Sequence, residues 1–130
     1  MGMPGAKQDD EVVGLDTHII MIPSPAGPVP TPMPMPFVGK LSGALSTTVK
    51  IDNKSAAVKG STAQNQPRHI PAGGPFQNPP SNQATVDAGS ATVQFDNQKA
   101  ARMGDAAKTC NDPTDAPNGV IIATGTVLIG

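Results

Sequence analysis

The chain has no tryptophan and no tyrosine, and its only aromatic rings besides histidine are Phe37, Phe76 and Phe95. A large aromatic core is thereby excluded, as is an aromatic stacking platform of the kind that holds nucleic-acid bases. Cysteine occurs once, at Cys110, so no disulfide can form within the chain. Charge is sparse and scattered: nine Lys and Arg oppose ten Asp and Glu, for a formal net charge of −1, which provides no electrostatic footprint for nucleic acid. The first residues, Met1 to Glu11, lack a basic stretch leading into an apolar one, and no apolar run is long enough to cross a membrane as a helix. Synthesis in the cytoplasm without a signal peptide is the expectation.

What the chain has instead is 15 prolines and 14 glycines in 130 residues. Such a composition disfavours long helices and suits one domain, residues 1–130, of short strands and loops. With a core of Val, Ile, Ala and Met, packing yields less per residue than aromatics give. An additional cross-link would be useful to a chain of this size.

An internal repeat organises the sequence. Ser46-Thr47-Thr48-Val49-Lys50-Ile51-Asp52-Asn53-Lys54-Ser55-Ala56-Ala57-Val58-Lys59-Gly60 is echoed, at an offset of 44 residues and without a gap, from Ser90 to Gly104. Each copy reads as a hairpin: Thr-Val-x-apolar alternates with period two, and Asp-Asn accepts the positive φ values of a tight turn. The chain ends Thr124-Gly125-Thr126-Val127-Leu128-Ile129-Gly130, which matches only the first strand of the unit. Its second strand is expected at the other terminus, where Val12-Val13-Gly14 can be laid beside Val58-Lys59-Gly60 and Arg102-Met103-Gly104. The repeat units are thus about 46–69, 90–113, and 124–130 plus 12–23. The expected fold is all-β, a small pseudo-threefold cone of short strands and hairpins closed by pairing of the N- and C-terminal strands, with Pro-rich loops. Such closure removes sheet edges.

Each unit contains one soft donor after its end: His18, His69 and Cys110. Imidazole nitrogen and thiolate suit Zn²⁺ or Fe²⁺, and equivalent loops of a closed threefold arrangement converge at one end. A structural zinc takes four ligands; the fourth here is open between water, a carboxylate such as Asp16 or Asp112, and none. Taken singly, a lone Cys is a small buried apolar group and a lone His a hydrogen-bonded one. Cys110 with His18 or His69 as base is the enzymatic alternative, a small Cys-His hydrolase. No local signature surrounds Cys110, and Gly60-Ser61-Thr62 and Gly73-Gly74 do not form a phosphate loop, so no catalytic residue is assigned. A β-rich interaction module without metal is the third reading.

From Pro28 to Pro36, proline occupies every second position. In an extended strand successive N–H groups point to opposite edges, so these prolines delete donors from one edge alone. The segment is expected to pair on one side and end the sheet on the other, with Val29, Met33, Met35 and Phe37 offered to a partner. A stiff polyproline II linker is the other reading, and Pro71 to Asn82 is expected to be a loop.

The repeated Thr-Val-x-apolar-Asp-Asn-x-x-Ala-Ala, followed by Gly104-Asp105, resembles the PAAR repeat, with Lys99-Ala100-Ala101-Arg102 and Ser55-Ala56-Ala57-Val58 standing where Pro-Ala-Ala-Arg gives the family its name. Thr17-His18-Ile19-Ile20-Met21-Ile22-Pro23, Pro67-Arg68-His69-Ile70-Pro71 and Thr109-Cys110-Asn111-Asp112-Pro113 are similar to segments of PAAR-like tips of phage-tail-like extracellular injection systems. The resemblance spans nearly the whole chain. It implies a β-rich cone with a metal, zinc or alternatively iron, near its apex, and a base seated on a trimeric β-helical spike protein of the VgrG type, one tip per trimer. Family members often use three His and one Cys; here His18, His69 and Cys110 match in kind. Contact with a target-cell membrane is transient, with no nucleic acid and no small-molecule substrate, and the assembled tip rides a contractile particle that the extracellular systems release. A type VI secretion tip or effector adaptor is the nearest alternative, disfavoured by the lack of any extension beyond Gly130.

Overall fold

A computed structural model describes residues 2–130. It is all-β, with no helix among the described residues. Twelve strands follow in order: β1 (Met3–Pro4), β2 (Glu11–Ile22), β3 (Val29–Gly43), β4 (Lys50–Ile51), β5 (Lys54–Ser55), β6 (Thr62–Asn65), β7 (Gln83–Val86), β8 (Gln94–Phe95), β9 (Gln98–Lys99), β10 (Ala106–Thr109), β11 (Ala116–Ile122) and β12 (Leu128–Ile129). Six of them form an antiparallel sheet closed in the order β10-β11-β2-β3-β6-β7. The other six form three two-stranded pairs: β4 with β5, β8 with β9, and β1 with β12.

Turn chemistry builds the first two pairs. Asp52 and Asn53 take φ of +50° and +68°, and Asp96 and Asn97 take +54° and +65°. Two successive left-handed residues make the tight turn whose twist matches that of the flanking strands, a conformation that Asp and Asn tolerate better than most residues, and the turn carboxylates reach the neighbouring units: Asp52 accepts from Thr126, and Asp96 from Ser46 and Thr48. In the third pair the two chain ends lie where the others have this turn.

The expected partner of the C-terminal strand is corrected here. Leu128–Ile129 pairs with Met3–Pro4, not with Val12-Val13-Gly14. The third unit therefore runs on through Gly5, Ala6 and Lys7 beside Ala56-Ala57-Val58 and Ala100-Ala101-Arg102. Three backbone bonds close a ring through it: Ala6 N–H donates to Ala101 (2.9 Å), Ala101 to Ala57 (3.1 Å) and Ala57 to Ala6 (2.9 Å). A second ring links Gln8 to Ser55, Lys59 to Lys99 and Met103 to Pro4, each at 2.8 Å. At the centre all three alanines are fully buried. A side chain larger than methyl has no room there; even a Cβ on Gly5 would stand 2.8 Å from the tips of both Ile51 and Ile129.

Gly14 misled the alignment for a physical reason. It is glycine because β2 passes close to β11: a Cβ would meet the Asn118 carbonyl oxygen at 2.6 Å. The position equivalent to Gly60 and Gly104, with φ of +99° and +89°, is Asp9 at +74°.

Within the closed sheet, Val12, Ala63, Ala107, Leu41, Val86 and Ile121 form one continuous apolar cluster. Beyond it the β2–β3 hairpin continues as a tongue. β11 pairs with β2 only as far as Gly14 and β6 with β3 only from Gly39, whereas β2 and β3 stay in register from Glu11↔Lys40 to Ile22↔Val29. The prolines behave as their spacing requires. β3 is paired along its whole β2 side, while Pro30, Pro32, Pro34 and Pro36 turn their donor-less backbone to the other edge. The opposite edge of the tongue is occupied as well: Thr17 N–H donates to Asn111 Oδ1 (2.7 Å), Ile19 to Asp112 Oδ2 (2.8 Å) and Met21 to the Pro75 carbonyl (2.8 Å).

The contact surface expected on this segment is also corrected. The residues between the prolines turn inward: Met35 is 7% exposed and Phe37 is fully buried, so neither offers a surface to a partner. Val29 remains exposed and Met33 half-buried. Alternation puts one face of β3 against the interior, and the prolines occupy the outer one.

Candidate metal centre

Strand alternation places the first two members of the site. Asp16 and His18 lie two residues apart on β2, so both side chains enter the interior, where Asp16 is fully buried and His18 is 1% exposed. His69 comes from the loop after β6, its side chain 3% exposed. Cys110 follows β10 directly and is buried. The three donors expected from the sequence are therefore brought together, and Asp16 joins them. One ligand atom from each lies within 4.8 Å of all the others.

Asp16 is the hub. Its Oδ2 accepts from His69 Nε2 (3.0 Å) and from the Cys110 thiol (3.4 Å), and its Oδ1 from Thr109 Oγ1. Cys110 Sγ lies 3.7 Å from His18 Nε2. The rings of Phe76 and Phe37 close the site, edge-on to His18 at 5.8 Å and to His69 at 6.4 Å. In these surroundings charge is disfavoured. Burial, and then the neighbouring His69, hold the His18 imidazole below its ordinary range. Burial, then the Asp16 carboxylate, push the Cys110 thiol up to about 12.

The donor set fits a metal such as zinc. A four-coordinate zinc with bonds of roughly 2.0–2.3 Å holds its ligand atoms about 3.3–3.7 Å apart. The Cys110–Asp16 and Cys110–His18 separations, 3.4 and 3.7 Å, are already of that size. A second observation agrees: among the described residues, His18 Nδ1 is the one buried side-chain nitrogen or oxygen without a hydrogen-bond partner, and it stands 3.6 Å from Asp112 Oδ2. If His18 bound an ion through Nε2, its Nδ1–H would face a carboxylate, the usual support of a metal-bound histidine. Asp112 thus lies behind the cluster, not in it. The ion would cross-link β2 to the segments that follow β6 and β10.

His69 is constrained differently. Asn65 Oδ1 accepts the Val38 N–H at 3.0 Å, which turns Asn65 Nδ2 toward His69 Nδ1 at 3.3 Å. His69 Nδ1 must then accept, leaving Nε2–H to donate to Asp16. Without an ion the network is complete at this corner, and binding one through His69 Nε2 requires Asn65 to reorient. An opening for entry exists beside it: a cavity of about 270 Å³ bounded by Met35, Val38, Asn65, Arg68, His69 and Ile70.

Asp16 was readable in the sequence as one of several fourth ligands, and its period-two spacing from His18 on an alternating strand was the signal that selects it. Asn65 and Thr109 carried no such signal, since their roles depend on the register of β6 and β10. Compared with known proteins, the chain matches no family model and no curated protein.

Proposed function

We propose that this chain is the tip of a contractile injection machine, a small pseudo-threefold cone that caps a trimeric β-helical spike and is rigidified by a metal ion near its apex. The observation that carries the reading is the recurrence of one hairpin unit three times, closed by the β1–β12 pair and by rings of three backbone hydrogen bonds. A single chain with three similar faces is suited to meet three identical subunits.

Other features support a mechanical role over a catalytic one. The Cys110 thiol is buried and its pKa raised to about 12, opposite to the thiolate a nucleophile needs. Asp16, His18, His69 and Cys110 draw on three separate segments, so an ion among them would tie those segments where the core is thin.

The test is to mix the chain with a trimeric spike protein and determine the stoichiometry by mass of the complex. One tip per trimer is expected; three tips per trimer, or no complex, would overturn the proposal.

A further inference from the structure

Packing does not account for the place of His69. From Gln66 to Gly73 every residue except His69 is exposed, and the connection from β6 to β7 has no strand of its own. A long connection of this kind depends on its few hydrogen bonds for its shape. Among the described residues, the backbone from Pro67 to Gly74 makes one: the His69 N–H donates to Asn82 Oδ1 at 2.7 Å.

Asn82 lies at the far end of the same connection, 3% exposed between the exposed Ser81 and Gln83. Its partners fix the orientation of its amide, since Nδ2 donates to the Pro80 carbonyl (3.3 Å) and Oδ1 faces two donors, the His69 N–H and Asn65 Nδ2 (3.3 Å). Its N–H turns to the metal centre. Against the burial and the Asp16 carboxylate that push the Cys110 thiol up, the N–H groups of Asn82 and Gln83 act the other way, as donors to the sulfur. Hydrogen bonds of that kind favour a thiolate, the form that binds a metal.

The position makes three demands on its residue. The backbone is left-handed, with φ of +57°, the His69 N–H needs an acceptor, and the Pro80 carbonyl needs a donor. Glycine meets the first alone, aspartate the first two, and asparagine all three. Closing the neck of the loop is a separate duty that asks for no side chain, because the Asn65 N–H reaches the Asn82 carbonyl at 2.8 Å.

We infer that Asn82 is a positioning residue of the metal centre: it is not one of the four donors, but its side chain anchors the His69 backbone and its N–H supports Cys110, holding two ligands from separate segments to one place. The inference deepens the metal-centre reading and rests on it.

Co²⁺ is the probe, because its near-ultraviolet charge-transfer band reports a bound thiolate. The full-length parent, Asn82→Gly, Asn82→Asp, His69→Ala and the double variant of Asn82→Gly with His69→Ala are titrated, and circular dichroism verifies folding. Asn82→Gly should bind about 10–100-fold more weakly, the usual loss when a partner behind a metal ligand is removed, and should keep the thiolate band because its N–H remains. Asn82→Asp should recover most of that loss. The double variant should bind no more weakly than His69→Ala, since the Asn82 side chain acts through His69. Unchanged binding by Asn82→Gly, losses that add in the double variant, or Asn82→Asp as weak as Asn82→Gly would each overturn the inference. Should Asn82→Gly fail to fold, Asn82→Asp decides alone, and a loss there of more than about tenfold overturns it. The parent separates this failure from that of the metal centre: a parent that takes up no Co²⁺ overturns both, and a parent that binds no better than Asn82→Gly overturns the positioning role alone.

Discussion

The N–H of Ala57 donates to the carbonyl of Ala6 at 2.9 Å, joining residues 51 positions apart, and Ala101 completes the circuit. Each member is fully buried, so the three backbones approach as closely as a methyl group permits. A leucine at any of the three should force the units apart and destabilise the fold by about 1–3 kcal/mol or more. The three losses should agree closely, whether at Ala6, Ala57 or Ala101. Urea unfolding of the three variants checks this, and a much smaller loss at Ala6 would mean that the terminal unit contributes little to closure.

Purified protein given Zn²⁺ and then desalted should retain one ion per chain. Cys110→Ala and Asp16→Asn should each lose it, with a lower melting temperature than the loaded parent. Elemental analysis and thermal scans read both effects, and binding unaffected by Asp16→Asn would remove Asp16 from the ligand set.

Asn65→Asp should bind the ion more tightly, about tenfold by the usual weight of partners behind metal-bound histidines. An aspartate can accept from the Val38 N–H and from a protonated His69 Nδ1 together, whereas Asn65 serves the first and opposes the second. Competition against a chelator measures it. A weaker affinity would show that the site prefers another histidine orientation.

Metal-free protein should be most stable between about pH 6.5 and 9. His18 is held below its ordinary range, so as pH falls below 6.5 the unfolded chain takes up a proton that the folded one refuses, and stability drops. On the alkaline side the unfolded thiol ionises near 9 while folded Cys110 waits until about 12, so stability also drops as pH rises through that window. Urea midpoints across pH test both limbs; His18→Asn should flatten the acid limb and Cys110→Ala the alkaline one. Metal uptake must expel the thiol proton, so its apparent affinity should rise with pH.

Where local chemistry determines conformation, the chain was legible. Asp52-Asn53 and Asp96-Asn97 announce tight turns, and alternate prolines announce a strand with one dead edge, because each constrains its own backbone. Harder to read was anything that depends on which surfaces meet. Asp9 performs with a left-handed backbone what Gly60 and Gly104 do, and no rule of spacing singles it out. Met35 and Phe37 had the composition of a contact surface, yet packing had already claimed them, Phe37 against the ring of His69. At the site, His18, His69 and Cys110 were visible as one soft donor per unit, while Asn65 and Thr109 became partners only through strand register.

The meeting of Met3–Pro4 with Leu128–Ile129 makes the position of the chain break interchangeable. Gly130 and Gly2 stand at the positions that Asp52-Asn53 and Asp96-Asn97 occupy in the sister pairs. A circular permutant, with Gly130 linked to Gly2 through a short turn and the chain opened between Asp52 and Asn53, would keep all three hairpins and the central ring of alanines. Its new ends would emerge from another corner of the molecule, where a fused passenger could be attached with the rest of the architecture left in place.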